Sequence, residues 1–136
     1  MSKLTRENAI LTFPTTEDLR SRIGEAVSLN LPQNIPTIEP LAEVGATPFG
    51  IVIHADADQA SVVPLAGGLA GTVKLKLQTA AYAGNELYVD STGNTHGFAD
   101  AVEENPSGKY LCAVALESGV AGEQIEAILF RPVLAP

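Results

Sequence analysis

This sequence predicts an all-β protein, a small β-barrel or sandwich with an extended, proline-rich N-terminal arm. Three observations carry that prediction. Short runs in which apolar and polar residues alternate recur along most of the chain, the period-2 pattern of half-buried strands. Turn residues separate these runs at intervals of about eight to twelve residues, the rhythm of sandwiches and barrels. Finally, the chain is 46% hydrophobic but only 5% aromatic, with no Trp. Its core must come from Val, Leu, Ile and Ala, side chains that suit a pleated surface.

The elements follow in chain order. Residues 1–45 are expected to form the arm and a first strand, and residues 46–136 the barrel or sandwich domain. Within the arm, "TTEDLRSRIG" predicts a short helix with Thr16 as N-cap and Gly24 as its stop. "EAVSLNLP" sets Val27, Leu29 and Leu31 on one face and reads as a strand. Pro32, Pro36, Pro40 and Pro48 then punctuate an extended stretch. Proline donates no backbone hydrogen bond, so this stretch belongs at an edge or over a surface. From Thr47 onward, "FGIVIH", "ASVVPL", "GTVKLKLQT", "NELYVD", "KYLCAVALE" and "EQIEAILFRPV" read as successive strands. The clearest is "GTVKLKLQT", with Val73, Leu75 and Leu77 opposite Thr72, Lys74 and Lys76. "DSTGNTHGF" is the densest turn chemistry, and "ADAVEENPSG" suggests one helical turn before Pro106. In the last strand the second face, Glu126, Ile128 and Phe130, is partly apolar, which suits either a strand covered on both sides or a subunit contact. No repeat of fixed period is visible.

Charge and cysteine usage narrow the function. Sixteen acidic residues against eight Lys and Arg give a net charge of −8, with no basic cluster to follow a phosphate backbone, so nucleic acid is not an expected partner. No apolar run reaches the length of a membrane span, and "AILTF" is too short for a signal peptide. Neither membrane association nor export is expected. The single cysteine, Cys112, lies in the apolar run "YLCAVAL". It reads as a small buried hydrophobe, because no adjacent polar residue would activate a thiolate.

Few residues suggest chemistry. His54, Asp56 and Asp58 alternate along "HADADQA" and so can face one side, as zinc ligands do. The simpler reading makes Asp a turn residue whose side chain caps backbone amides between two strands. "LAGGLAG" lacks the phosphate-loop pattern and precedes a strand, not a helix. Glu103 and Glu104 are adjacent and read as solvated, and Tyr82, Tyr88 and Tyr110 make only a weak case for a sugar-binding face. Nothing assembles a nucleophile, a base and an orienting group. The expectation is a non-enzyme with no catalytic residue, no cofactor and no metal site. The alternative kept open is a metal- or small-ligand-binding β module built on His54, Asp56 and Asp58.

The order of segments adds a resemblance. "GIVIHADADQASVVPLAGGLAGTVKLKL", "AGNELYVDSTGNTHGF" and "LCAVALESGVAGEQIEAILFRPV" follow one another. Together they resemble small phage and prophage head proteins that decorate capsids, with their "GIV" strand, "GTVKVKL"-like strand, "GD-L-V-ADG" hairpin and closing "AGE-IEA-LF-P" strand. Asn85 stands where that pattern has Asp. The resemblance covers most of the chain, and its motifs are structural. It implies a β-rich protein made in the bacterial host cytoplasm and carried on the outer capsid surface of the virion. Its partners would be the major capsid protein and further copies of itself in a homotrimer. It brings no catalytic residues.

Overall fold

The computed structural model describes residues 10–31, 35–41, 47–65, 72–89, 97–100 and 107–135. The N-terminal strands are β1 (Leu11–Pro14), β2 (Ala26–Asn30), β3 (Thr37–Pro40), β4 (Gly50–Ala55) and β5 (Gln59–Pro64). The C-terminal strands are β6 (Thr72–Lys76), β7 (Glu86–Val89), β8 (Phe98–Asp100), β9 (Tyr110–Ala115) and β10 (Gln124–Leu134). They form two five-stranded sheets, ordered β1-β5-β4-β2-β3 and β6-β10-β9-β7-β8, each antiparallel throughout. The all-β class expected from the alternation is therefore present.

Each sheet curls until its two edges meet. Just past β1, Thr15 bridges Ile38 of β3 in parallel, and Thr16 N–H donates to Ile38 O at 3.3 Å. Just past β6, Leu77 bridges Phe98 of β8 in the same way, and Gln78 N–H donates to Phe98 O at 2.7 Å. Closure places one face of every strand inside a small barrel. The first interior holds Leu19, Val27, Ile38, Val52, Ala60 and Val62, with Phe13 and Phe49 packed against them edge to face at 5.7 Å. Leu75, Leu87, Phe98, Ala113, Ala115, Ile125 and Ala127 are buried in the second. Each large side chain so buried stabilises the fold by about 1.5–3 kcal/mol.

The two barrels are copies of one another in backbone. Within each, the first strand pairs the fifth, the fifth the fourth, the fourth the second and the second the third. The registers match as well. Leu11↔Val62 corresponds to Val73↔Ala127, Val27↔Gly50 to Leu87↔Ala113, Leu29↔Ile38 to Val89↔Phe98, and Val52↔Val62 to Ala115↔Ala127. Even the turn before the second strand is shared. Gly24 N–H donates to Val52 O as Gly84 N–H does to Ala115 O, and Val52 N–H donates to Glu25 O as Ala115 N–H does to Asn85 O. Gly24 and Gly84 have φ of 87° and 93°, a left-handed conformation that favours glycine. Of the pairs matched by register, Gly24/Gly84 and Gln59/Gln124 keep the same residue, whereas the others keep only the inside-outside pattern. That is why no repeat shows in the sequence.

The barrels lie side by side with equivalent ends pointing the same way. Call the upper end of each barrel the one where its first strand finishes, and the lower end the one where it begins. At the upper ends Lys76 N–H donates to Gly24 O at 2.9 Å, and Gln124 Nε2 donates to Ile23 O at 3.1 Å. Glu25, 5% exposed, receives Lys76 from the other barrel and Arg22 from its own, both at 3.2 Å. Toward the lower ends Thr47 Oγ1 and Tyr110 OH share a hydrogen bond of 3.1 Å. Between these contacts, Ala26 and Ile51 on the outer face of the first barrel join the second barrel's apolar cluster.

Three expectations change. The helix in "TTEDLRSRIG" shrinks to a single 3-10 turn over Arg20–Arg22, entered at Leu19 without a side-chain cap. Leu19 is drawn into the barrel instead of lying along a helix face. The described part of residues 1–45 is no separate arm: β1, β2 and β3 share a sheet with β4 and β5. The change from one barrel to the next falls between residues 65 and 72, not at 45–46. The proline-punctuated stretch does contain an edge strand, β3, as its missing donors require. The helical turn suggested in "ADAVEENPSG" falls mainly on residues 101–106, outside the described residues.

Candidate functional site

His54 lies near the end of β4, and the turn that holds Asp56 and Asp58 joins β4 to β5 at the upper end of the first barrel. Asp56 Oδ1 accepts from the backbone N–H of Asp58 at 3.2 Å and of Gln59 at 3.0 Å, and Oδ2 accepts from Gln59 Nε2 at 3.2 Å. These donors, the Asp58 amide foremost, hold the Asp56 carboxyl below its usual range. Asp58 contributes its carbonyl, which accepts from Thr15 N–H at 3.1 Å. His54 is exposed and pairs across the strand with Ser61, whose hydroxyl shares a hydrogen bond with Thr12 Oγ1 at 2.8 Å. Among the described residues no three His, Cys, Asp or Glu side chains converge as a metal site would require. Asp56 and Asp58 form a capped turn, with both Asp56 oxygens committed to it.

The other singled-out residues are dispersed. Cys112 is buried, its Sγ donating to Tyr110 O at 3.5 Å, and burial pushes its thiol well above the ordinary range. Tyr110 ties the barrels together through Thr47, whereas Tyr88 sits on β7, its phenol raised by burial. Tyr82 is 71% exposed in the turn before β7, at the opposite end from Tyr110. Ile128 on β10 is exposed. His96, Glu103, Glu104 and most of "LAGGLAG" lie outside the described residues, as does the Phe130 side chain.

What the sequence did not reveal is a segregation of charge from apolar surface. Strand direction decides where each segment lies. Glu17, Asp18, Glu25, Asp56, Asp58, Glu86, Glu117 and Glu123 all fall in turns or strand starts at the upper ends. At the lower ends lie Ile10 and Leu11, Leu29 and Leu31, Ile35, Val133 and Leu134, each 38–58% exposed. No Asp or Glu among the described residues shares those lower-end segments. Among the described residues, acidic groups therefore gather at the upper ends and most of the exposed large apolar side chains at the lower ends, with Tyr82, Leu116 and Val120 as upper-end exceptions. Only placement of the strand ends could bring together residues 10, 31 and 133. Clustered acidic groups favour repulsion between copies, and clustered exposed apolar side chains are the kind of surface on which contacts form.

This architecture defines a class: a tandem pair of five-stranded barrels with exposed apolar residues gathered at the lower ends and no assembled chemical centre among the described residues. No protein-family model matches the chain, and no curated protein sequence matches it. Among solved structures, its fold is shared by the N base of the head fiber gp8.5 of bacteriophage phi29. The TM-score is 0.60 at 16% identity, covering 93% of this chain and 98% of that one.

Proposed function

We propose that this protein is a structural component of a bacteriophage head, bound to the outside of the capsid as a homotrimer and strengthening it, with no catalytic role. The observation that carries the reading is the shared fold with the base of a phage head fiber, which spans nearly the whole of both chains. The segment order described above leads independently to capsid decoration proteins. The charge distribution supports the same reading. A head protein works as one of many copies on a shell, so it needs a contact surface for its neighbours and a free face that stays dispersed, and here the lower-end apolar residues and the upper-end acidic residues lie apart. The major capsid protein is the proposed partner, the virion surface the proposed location and the bacterial host cytoplasm the site of synthesis. A ligand-binding module built on His54, Asp56 and Asp58 is disfavoured, because Asp56 spends both oxygens on its own turn.

The test is co-sedimentation of the purified protein with empty heads assembled from the major capsid protein of the genome that carries it. Saturable binding in multiples of three, with a rise in the temperature at which the heads come apart, is expected. Protein left wholly in the supernatant rejects the reading.

A further inference from the structure

The internal repeat shows which part of the surface is unfinished. Equivalent positions in the two barrels have the same strand, the same register and the same inward direction, so they should be equally covered. At the lower end they are not. Val73 on β6 is 8% exposed, but its counterpart Leu11 on β1 is 40% exposed. Val89 on β7 is 5% exposed, but its counterpart Leu29 on β2 is 38% exposed. Among the described residues, the mouth of the second barrel is closed and that of the first is open. Around the open mouth, Ile10, Leu31 and Ile35 are 51%, 58% and 56% exposed. On the neighbouring barrel, Val133 and Leu134 add their side chains at the same end, each 55% exposed.

The geometry points to a second copy of this chain as the cover: protomers associate through the open lower mouth of the first barrel, seating Leu11, Leu29, Leu31 and Ile35 against one another. Two arguments select a copy of the chain. The seven lower-end side chains expose roughly 600 Å² between them, at the top of what a monomer leaves uncovered and near the ~800 Å² per partner of a standard interface. Charge permits this contact and opposes others. Two chains of net charge −8 repel wherever their acidic ends approach, whereas the lower-end segments described here carry no Asp or Glu. Such an interface is apolar, so added salt should leave it intact or strengthen it.

The experiment is light scattering coupled to size exclusion on the full chain, in low and in high salt. One variant carries Leu31→Glu with Ile35→Glu, both at exposed positions flanking strands, so the barrel interior is untouched. A control variant carries Tyr82→Glu with Val120→Glu, equally exposed apolar residues at the upper end of the second barrel. Circular dichroism and melting confirm that each variant is folded. The wild type and the control are expected to run as the same oligomer in both salts, and the lower-end variant as a monomer, its association weakened at least ~10-fold. A monomeric wild type, or an oligomer that survives Leu31→Glu with Ile35→Glu, overturns the inference. So does a wild-type monomer that begins to associate once residues 1–9 are deleted, because the chain's own N-terminus would then be the cover. The inference rests on the proposed function only for the number of copies. A wild type that associates through this end but ignores heads would leave it standing and remove that function.

Discussion

Substituting alanine at Gly24 and, separately, at Gly84 provides an internally controlled test of the two-barrel architecture. Both glycines occupy the same turn of the repeat, at φ of 87° and 93°, with the same two backbone hydrogen bonds around them. The left-handed backbone therefore penalises alanine similarly at each, by about 1–2 kcal/mol. The surroundings differ. A Cβ at Gly84 meets nothing within 4 Å, whereas one at Gly24 lies 3.1 Å from Lys76 N and from Gln124 Nε2, and 3.3 Å from Lys76 Cβ. The Gln124 amide can swing aside, but Lys76 N is backbone and donates to Gly24 O at 2.9 Å. Making room means loosening the contact between the barrels, an overpacking cost of about 1–3 kcal/mol. Gly24→Ala should thus destabilise by about 2–5 kcal/mol in all and Gly84→Ala by only about 1–2. Urea unfolding of both variants reads this as a larger fall in midpoint for Gly24→Ala at unchanged slope. Equal losses, or a larger loss at Gly84, would refute the docking of the second barrel on the Gly24 turn.

Other expectations follow from single groups. Thr15 Oγ1 is buried without a hydrogen-bond partner, at the position where the second barrel carries Leu77. Thr15→Val should therefore raise the melting temperature, by up to about 1–2 kcal/mol of stability, and a clear loss would show that the hydroxyl is satisfied. Asp56→Ala should lower the melting temperature at neutral pH. The Asp56 carboxyl is held below 3.8 in the folded state, so its contribution is present above that value and fades as pH drops through the folded one. The gap between variant and wild type should close in strong acid, and a gap independent of pH would contradict the capping role. Cys112 should resist thiol reagents in the folded protein and react once it is unfolded. Its raised thiol also makes stability fall as pH rises past the unfolded value of about 8.5, where only the unfolded chain ionises. Rapid labelling of the native protein would contradict its burial.

Alternation made most strands legible. "TVKLK" and "ELYV" became β6 and β7 because one face of each is buried and the other is not, whereas "GIVIHA" became β4 with Val52 buried inside the first barrel and Ile51 buried against the second. Strands whose partners are remote were harder to see. β1 is four residues ending in Pro14, and it becomes a strand only through β5, reached more than 40 residues later in the pairing Leu11↔Val62. "DLRSRIG" reads as helical on local preference, but Leu19 gains more by entering the barrel than a short helix would supply. The repeat was illegible for a different reason. A barrel needs a pattern of inward apolar residues, not particular ones, so Ile38 and Phe98, or Phe13 and Leu75, serve alike. The Asp56 turn was readable from composition, because Asp capping is local. The apolar end was not, since Leu11, Leu31, Ile35 and Val133 are brought together only by the directions of four strands.

The measurement closest to the central claim is a cryo-electron microscopy reconstruction of heads assembled in the presence of this protein. Density for paired five-stranded barrels on the outer surface, in groups of three, is the expected result. Bare shells at saturating protein, or density confined to the inner surface, would contradict it.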